Sequence, residues 1–266
     1  MAAGMNLPFS QRGPAPLWSG GPAPGQFHDF PNKGNSCSSV QLPINKTRQP
    51  IVMGTSVVGI KFSGGVVIAA DTLGSYGSLA RFRSVSRLMK VTDSTVVGCS
   101  GDYGDFQDTK GHLDRMIISE RCHDDGHGYT PRGIFSYLTR VMYYKRTRGE
   151  PHWNTWAVGG CKDGEPFLGY VDMIGVAYES PFVATGLGKY YALPLMRDAA
   201  EQVAKEGREL TEEVAVDIVK RALKVLLYRD CRTINKYEFA IATEEGVRIE
   251  GPLALDTNWD VAQYVK

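Results

Sequence analysis

Along residues 47–250, apolar positions switch between strand-length runs and helical spacing, and the order of the switches defines an architecture. Thr55–Phe62 and Gly65–Asp71 are apolar runs on either side of Ser63-Gly64, a tight-turn pair, and predict a β-hairpin. The stretches 85–91 and 95–101 predict two more strands. Helical spacing follows from Tyr103 to Cys122. A second helix opens with Thr130 as N-cap and Pro131 at the first helical position. Its Ile134, Phe135, Leu138, Val141 and Met142 share one face. Strands are predicted again over 154–160, 167–172 and 182–185. Helices are predicted over 189–205 and 211–228. The last carries Ala215, Ile218, Val219, Ala222, Val225 and Leu226 as an apolar stripe behind acidic Glu212 and Glu213. Segments 237–243 and 247–250 close the pattern as strands. Beyond Glu250, Gly251-Pro252 interrupts it.

Strands, two helices, strands, two helices, strands is an α+β order. Hairpin-linked strands predict antiparallel sheets, unlike a strictly alternating βαβ chain. Two sheets with helices outside both satisfy it as a four-layer αββα sandwich.

Composition divides the chain near residue 46. The first 46 residues hold 7 of the 14 prolines and 6 of the 30 glycines, without a period of 2 or 3.6. They are expected to be a flexible leader, with a disordered tail as the plainer reading and a cleaved propeptide as the other. Three segments result: leader 1–46, domain 47–250 and tail 251–266. The tail keeps Leu253, Leu255, Trp259, Val261, Tyr264 and Val265, too apolar for a solvated end, and is expected to dock.

Net charge is +1 over 266 residues, so no long-range field favours nucleic acid or anionic lipid. The apolar runs are too short to span a bilayer, and the N-terminus lacks the regions of a secretory signal. Five widely spaced cysteines without a CxxC resemble the reduced thiols of a cytosolic or nuclear protein.

The hairpin carries the candidate chemistry. If Phe62 pairs with Gly65, paired numbers sum to 127, Thr55 faces Thr72, and Asp71 lies one position away. A threonine hydroxyl is a poor nucleophile without a base. Its own α-amino group, with a pKa of about 7.7–8, can serve if the chain is cut after Gly54. From spacing alone the plainer reading prevails: Gly-Thr commonly opens a strand and Asp commonly ends one.

The run "GTSVVGIKFSGGVVIAADTLGSYGSLARFRSVSRLMKV", followed in order by "GCSGDYGDFQ", "FLGYVDMIGVAYESPFVATGLG" and "LYRDCRT", resembles the proteasome β subunits, which have an N-terminal-nucleophile fold. The resemblance spans about Thr47 to Trp259 and implies the αββα sandwich. It places Thr55 at the nucleophile position and Asp71 at the aspartate that supports the catalytic lysine. That lysine falls on Arg87, an always-protonated planar fork in place of a compact ammonium. The glycine-serine-glycine of active members reads Gly186-Leu187-Gly188, and leucine has no hydroxyl. Asp230 matches a later family aspartate, and Thr233 takes the place of the serine after it. The glycines that follow that serine fall on Ile234 and Asn235.

Thr55 and Asp71 alone suggest an enzyme; Arg87 and Leu187 argue against one, so the six positions are expected to be vestigial. "SYGSLARFR" and "YRDCR" are similar to the members at the seventh β position of the eukaryotic ring, understood to be non-catalytic. This implies leader cleavage between Lys46 and Thr47, leaving the Thr55 nitrogen in a peptide bond. It also implies packing on neighbouring α and β subunits and on the opposite β ring, with Leu255, Trp259 and Tyr264 as interface candidates. Unfolded polypeptides in the enclosed chamber are the implied substrates, and cytoplasm and nucleus the implied location. No cofactor, metal, nucleic acid or membrane is expected. The alternatives are an active threonine peptidase subunit using Thr55 and a free-standing amidohydrolase of the same fold.

Other constellations have plainer readings. Cys122, His123, Asp124, Asp125 and His127 in "RCHDDGHGY" lack a second ligand pair and suit a polar loop. "YYKRTRGE" (143–150) suits a solvated helix end rather than a nucleic-acid patch. "GLGK" lacks a phosphate-loop pattern. Trp153 and Trp156 suit core or interface anchors.

Overall fold

The computed structural model describes residues 49–260 and Ala262. The leader, its boundary at Lys46 and Thr47, Cys37, Val261, Tyr264 and Val265 lie outside the described residues. Strand β1 (Val52–Gly54) comes first. The hairpin β2 (Val57–Phe62) and β3 (Gly65–Asp71) follows, paired from Val57 with Ala70 to Phe62 with Gly65. Next come β4 (Gly74–Tyr76), β5 (Leu79–Phe82), β6 (Leu88–Thr92) and β7 (Thr95–Asp102). Helices α1 (Tyr103–Arg121) and α2 (Pro131–Thr147) precede β8 (Asn154–Lys162), β9 (Glu165–Val171), β10 (Ala177–Glu179) and β11 (Phe182–Ala184). Helices α3 (Gly188–Lys205) and α4 (Glu212–Arg229) lead to β12 (Tyr237–Thr243) and β13 (Gly246–Leu253).

All strand pairs are antiparallel. One sheet runs β10-β9-β8-β7-β1-β4-β5, with β6 also on β7; the other runs β11-β2-β3-β12-β13. Three apolar clusters mark the spaces between four layers. Phe106, Leu113, Ile117, Ile134, Leu138 and Met142 pack α1 and α2 against the larger sheet around Trp156. Val57, Val66, Ile68, Val96, Ala157 and Leu168 fill the space between the sheets. Ala192, Met196, Ile218, Val219, Ala222 and Leu226 pack α3 and α4 against the smaller sheet. This is the αββα sandwich expected from the element order. The buried positions of α2, Pro131, Ile134, Leu138 and Met142, recur at three- and four-residue spacing, and Thr130 Oγ1 accepts the Gly133 N–H at 3.0 Å as its cap.

Two expectations change. The strand anticipated from Thr55 begins at Val57, because Val52–Gly54 form a strand of their own in the other sheet. The closing strand runs through Gly251-Pro252 to Leu253, with a register shift between Tyr237 and Phe239. Gly251 there has φ 132°, a conformation closed to most side chains, and this lets the strand continue.

Candidate functional site

Thr55 and Ser56 form the link where the chain crosses from one sheet to the other. On the N-terminal side, Met53 pairs with both Ser75 of β4 and Asp102 of β7, and Gly54 pairs with Gly101. On the C-terminal side, Val57 donates to Thr185 Oγ1 at 2.8 Å, and Ser56 Oγ accepts from Gly188 N–H at 2.9 Å. Thr55 is thus held in the middle of a continuous chain by strands on one side and by the 185–188 loop on the other.

Beneath this link lies Arg87, 2% exposed. Its Nε donates to the Asp71 carbonyl at 3.1 Å. Its Nη1 donates to the Thr55 carbonyl at 2.8 Å and the Cys99 carbonyl at 3.2 Å. Its Nη2 donates to the Ser56 carbonyl at 3.2 Å and also to Asp71 Oδ1, closing an ion pair. A guanidinium has five N–H groups, and here each has an acceptor. The fork therefore gathers the carbonyls of the sheet-to-sheet link, of β3 and of β7 around one fixed charge.

Gly54 belongs to this arrangement. A Cβ on it would come within 2.3 Å of Arg87 Cδ, so glycine is required by the passage of the arginine stem. The structural reason for a glycine before Thr55 is close approach.

Thr55 Oγ1 donates to Asp71 Oδ1 at 3.3 Å, confirming the proximity inferred from the hairpin register. The same oxygen already accepts from Arg87. Asp71 Oδ2 is buried without a hydrogen bond of good geometry, although Thr233 and the Ile234 N–H face the carboxylate and favour its charged form. Burial raises the Asp71 carboxyl above its ordinary value and Arg87 opposes the rise. Burial likewise holds the Cys99 thiol well above its usual range, so it is inert at neutral pH.

Leu187 is the N-cap of α3, 42% exposed, and offers no side-chain hydrogen bond there. Asp230 closes α4, and its Oδ1 accepts from Arg232 N–H at 2.9 Å. Thr233 is half-buried beside Asp71. Thr55, Asp71, Arg87 and Thr233 thus converge, Leu187 lies on the loop that holds Ser56, and Asp230 shapes the turn carrying Thr233. No group placed to take a proton from Thr55 is found among the described residues other than Asp71, whose nearer oxygen is engaged by Arg87.

The remaining candidates have structural places. Leu255 packs on the α3–α4 core, and Asn235 clamps its backbone with bonds of 2.8 and 2.7 Å. Leu255 thus docks, half-buried, on its own domain. Trp259 lies edge-on to Tyr228 with ring centroids 5.0 Å apart and remains 52% exposed. Cys122 through His127 form the turn between α1 and α2, where His127 N–H donates to Asp125 Oδ1 at 3.0 Å. Trp156 is a core residue, and Trp153 N–H donates to Asp105 Oδ2 at 2.9 Å.

Two antiparallel sheets between helical layers, with a threonine and an aspartate meeting at the edge of the central hairpin, define an N-terminal-nucleophile sandwich. The proteasome subunit family model matches residues 51–242, and the chain belongs to that family. It is 51% identical to proteasome subunit beta type-4 of Xenopus laevis, over 92% of this chain and 96% of that one. It is 44% identical to the beta type-4 subunit of Dictyostelium discoideum, over 81% and 82%. It is 40% identical to proteasome subunit beta type-7 of Saccharomyces cerevisiae, over 84% and 86%.

Proposed function

We propose that this chain is a non-catalytic β subunit of the 20S core proteasome, whose work is to form part of the chamber wall. The observation that carries this reading is Arg87. All five of its N–H groups are engaged, one of them by the carbonyl of Thr55 itself. An arginine so held cannot act as a proton acceptor, and removing one member of a cooperating catalytic set usually removes most of the rate. Leu187 supplies no hydroxyl beside the link, and β1 fixes the chain up to Gly54, immediately before the Thr55 nitrogen.

In this reading the chain packs against neighbouring α and β subunits and β subunits of the opposite ring, in the cytoplasm and nucleus. Other subunits cleave the unfolded polypeptides inside. The leader is removed between Lys46 and Thr47, and the exposed face of Trp259 is an anchor for the tail. The test is mass spectrometry of assembled particles treated with an epoxyketone inhibitor. Thr55 is expected to remain unmodified within an internal peptide, and the chain to begin at Thr47. A stoichiometric Thr55 adduct would establish the active-peptidase alternative, and a terminus at Thr55 would mean self-cleavage.

A further inference from the structure

One buried carboxylate holds the chain where it enters the domain. Asp102 ends β7, is the N-cap of α1 and is 6% exposed. Its Oδ2 accepts from Asp105 N–H at 3.0 Å, and its Oδ1 accepts from Ile51 N–H at 3.1 Å. The Asp102 N–H donates to the Trp153 carbonyl at 2.8 Å, and its carbonyl accepts from Asn154 Nδ2 at 2.7 Å. Capping α1 needs one carboxylate oxygen. The other is committed to a residue 51 positions upstream, in a charge-assisted bond stronger than one between amides. Immediately after Ile51, β1 has β4 on one side and β7 on the other. Immediately before it, Pro50 has no N–H, and Gln49 is exposed. Asp102 therefore marks the point at which the entering chain becomes fixed.

We propose that Asp102, by holding Ile51, is a positioning residue for maturation and sets how many residues remain when the leader is removed. The proposal rests on the leader removal proposed above and adds what fixes its end point. In that hydrolysis one water adds across one peptide bond, leaving a carboxyl end on the released piece and an amine on the retained chain. A peptidase acts on chain that is free of its own backbone bonds, and takes it as an extended strand. Residues 52–54 have a strand on each side, Ile51 is held, and Pro50 cannot donate to such a strand. The cut therefore falls upstream of Gln49. The four residues 47–50 span at most about 14 Å, so the bond between Lys46 and Thr47 can be presented that far from the anchor. The end point is measured from Ile51 and is not read from the side chains at the junction.

The test is mass spectrometry of the N-terminus of the full chain, purified in assembled particles, with Gly-Ser inserted between Arg48 and Gln49. The wild-type chain is expected to begin at Thr47. The lengthened chain is expected to begin at the inserted glycine, so that four residues still precede Ile51. A lengthened chain beginning at Thr47 would show a junction read by sequence and would overturn the proposal. Asp102→Ser keeps an oxygen to cap α1 and drops the one that holds Ile51. It is expected to raise the yield of termini downstream of Thr47 about tenfold; a wild-type set of termini would overturn the proposal. If that variant does not enter particles, the insertion, which leaves Asp102 untouched, decides. A wild-type chain beginning at Met1 or Thr55 overturns the leader removal itself. A wild-type start at Thr47 with either adverse result overturns the role of Asp102 alone.

Discussion

Arg87 and the arginines of α2 carry the same guanidinium into opposite surroundings. Arg87 is sealed between the sheets with an acceptor for each N–H, four of them backbone or carboxylate oxygens of residues in or beside β2 and β3. The cations of α2 and its C-cap face outward, three of them against a carboxylate or a tyrosine ring and two with no ion pair among the described residues. The difference lies in what is left over after folding. A buried cation with complete partners adds nothing for a ligand and everything to the local geometry. Outward-facing cations keep donors that the fold does not use.

The sharpest way to break this comparison is Arg87→Ala. It strands the Asp71 carboxylate and four carbonyls, and removing one member of a buried pair costs about 3–5 kcal/mol. Chemical denaturation of the purified subunit should show that loss, with no gain of peptidase activity; a change below about 1 kcal/mol would place Arg87 among the dispensable cations. Next is Gly54→Ala. Its Cβ must displace Arg87 Cδ from 2.3 Å, and overpacking of this kind costs about 1–3 kcal/mol. Pairing it with Arg87→Ala should relieve the strain, so the double variant is expected to be less destabilised than the sum of the two.

His152 gives a smaller, pH-dependent effect. Its Nδ1 lies 3.1 Å from Thr109 Oγ1, and Asp105, Asp108, His112 and Lys145 surround it. Burial, reinforced by the charge on Lys145, holds its pKa below the ordinary 6.5. The unfolded chain then binds more protons than the folded one in mild acid. The contribution is complete above about pH 6.5 and is lost as pH falls toward the folded value, by at most about 1.4 kcal/mol per pH unit. Melting curves at pH 7.5 and 5.5 should converge in His152→Gln; an unchanged pH slope would show that the ring is not desolvated. The smallest effect is Arg132→Ala. Its exposed pair with Glu179 should contribute no more than about 1 kcal/mol, and its loss should be screened out by salt.

How much of this was legible in the sequence depended on how local each cause is. The hairpin register followed from Ser63-Gly64, since a two-residue turn fixes every pair beyond it. The start of α2 followed from Thr130 and Pro131. Strands β1, β4 and β10 have three residues each, too few to establish a period. The spacing put Thr55 beside Asp71, and the resemblance identified Arg87 as a departure. Neither disclosed that the arginine's acceptors come from positions 16, 32, 31 and 12 residues away. The reason for a glycine at position 54 was hidden, because a side chain arriving from another strand leaves no mark in the local sequence. The α2 basic run was legible as charge, but the pairing of Arg132 with Glu179 exists only once α2 and β10 are brought together.

The position of β1 also has a mechanical consequence. Met53 is bonded sideways to strands on both flanks, while the chain enters at residue 50 and leaves toward Thr55 roughly along the strand. A pull on the upstream chain therefore loads these bonds in shear, several at once, rather than peeling them singly. The tension ends in β4 and β7 before it reaches the crossing point at Thr55. A load arriving from upstream of residue 50 thus meets β1 before it meets the junction between the two sheets.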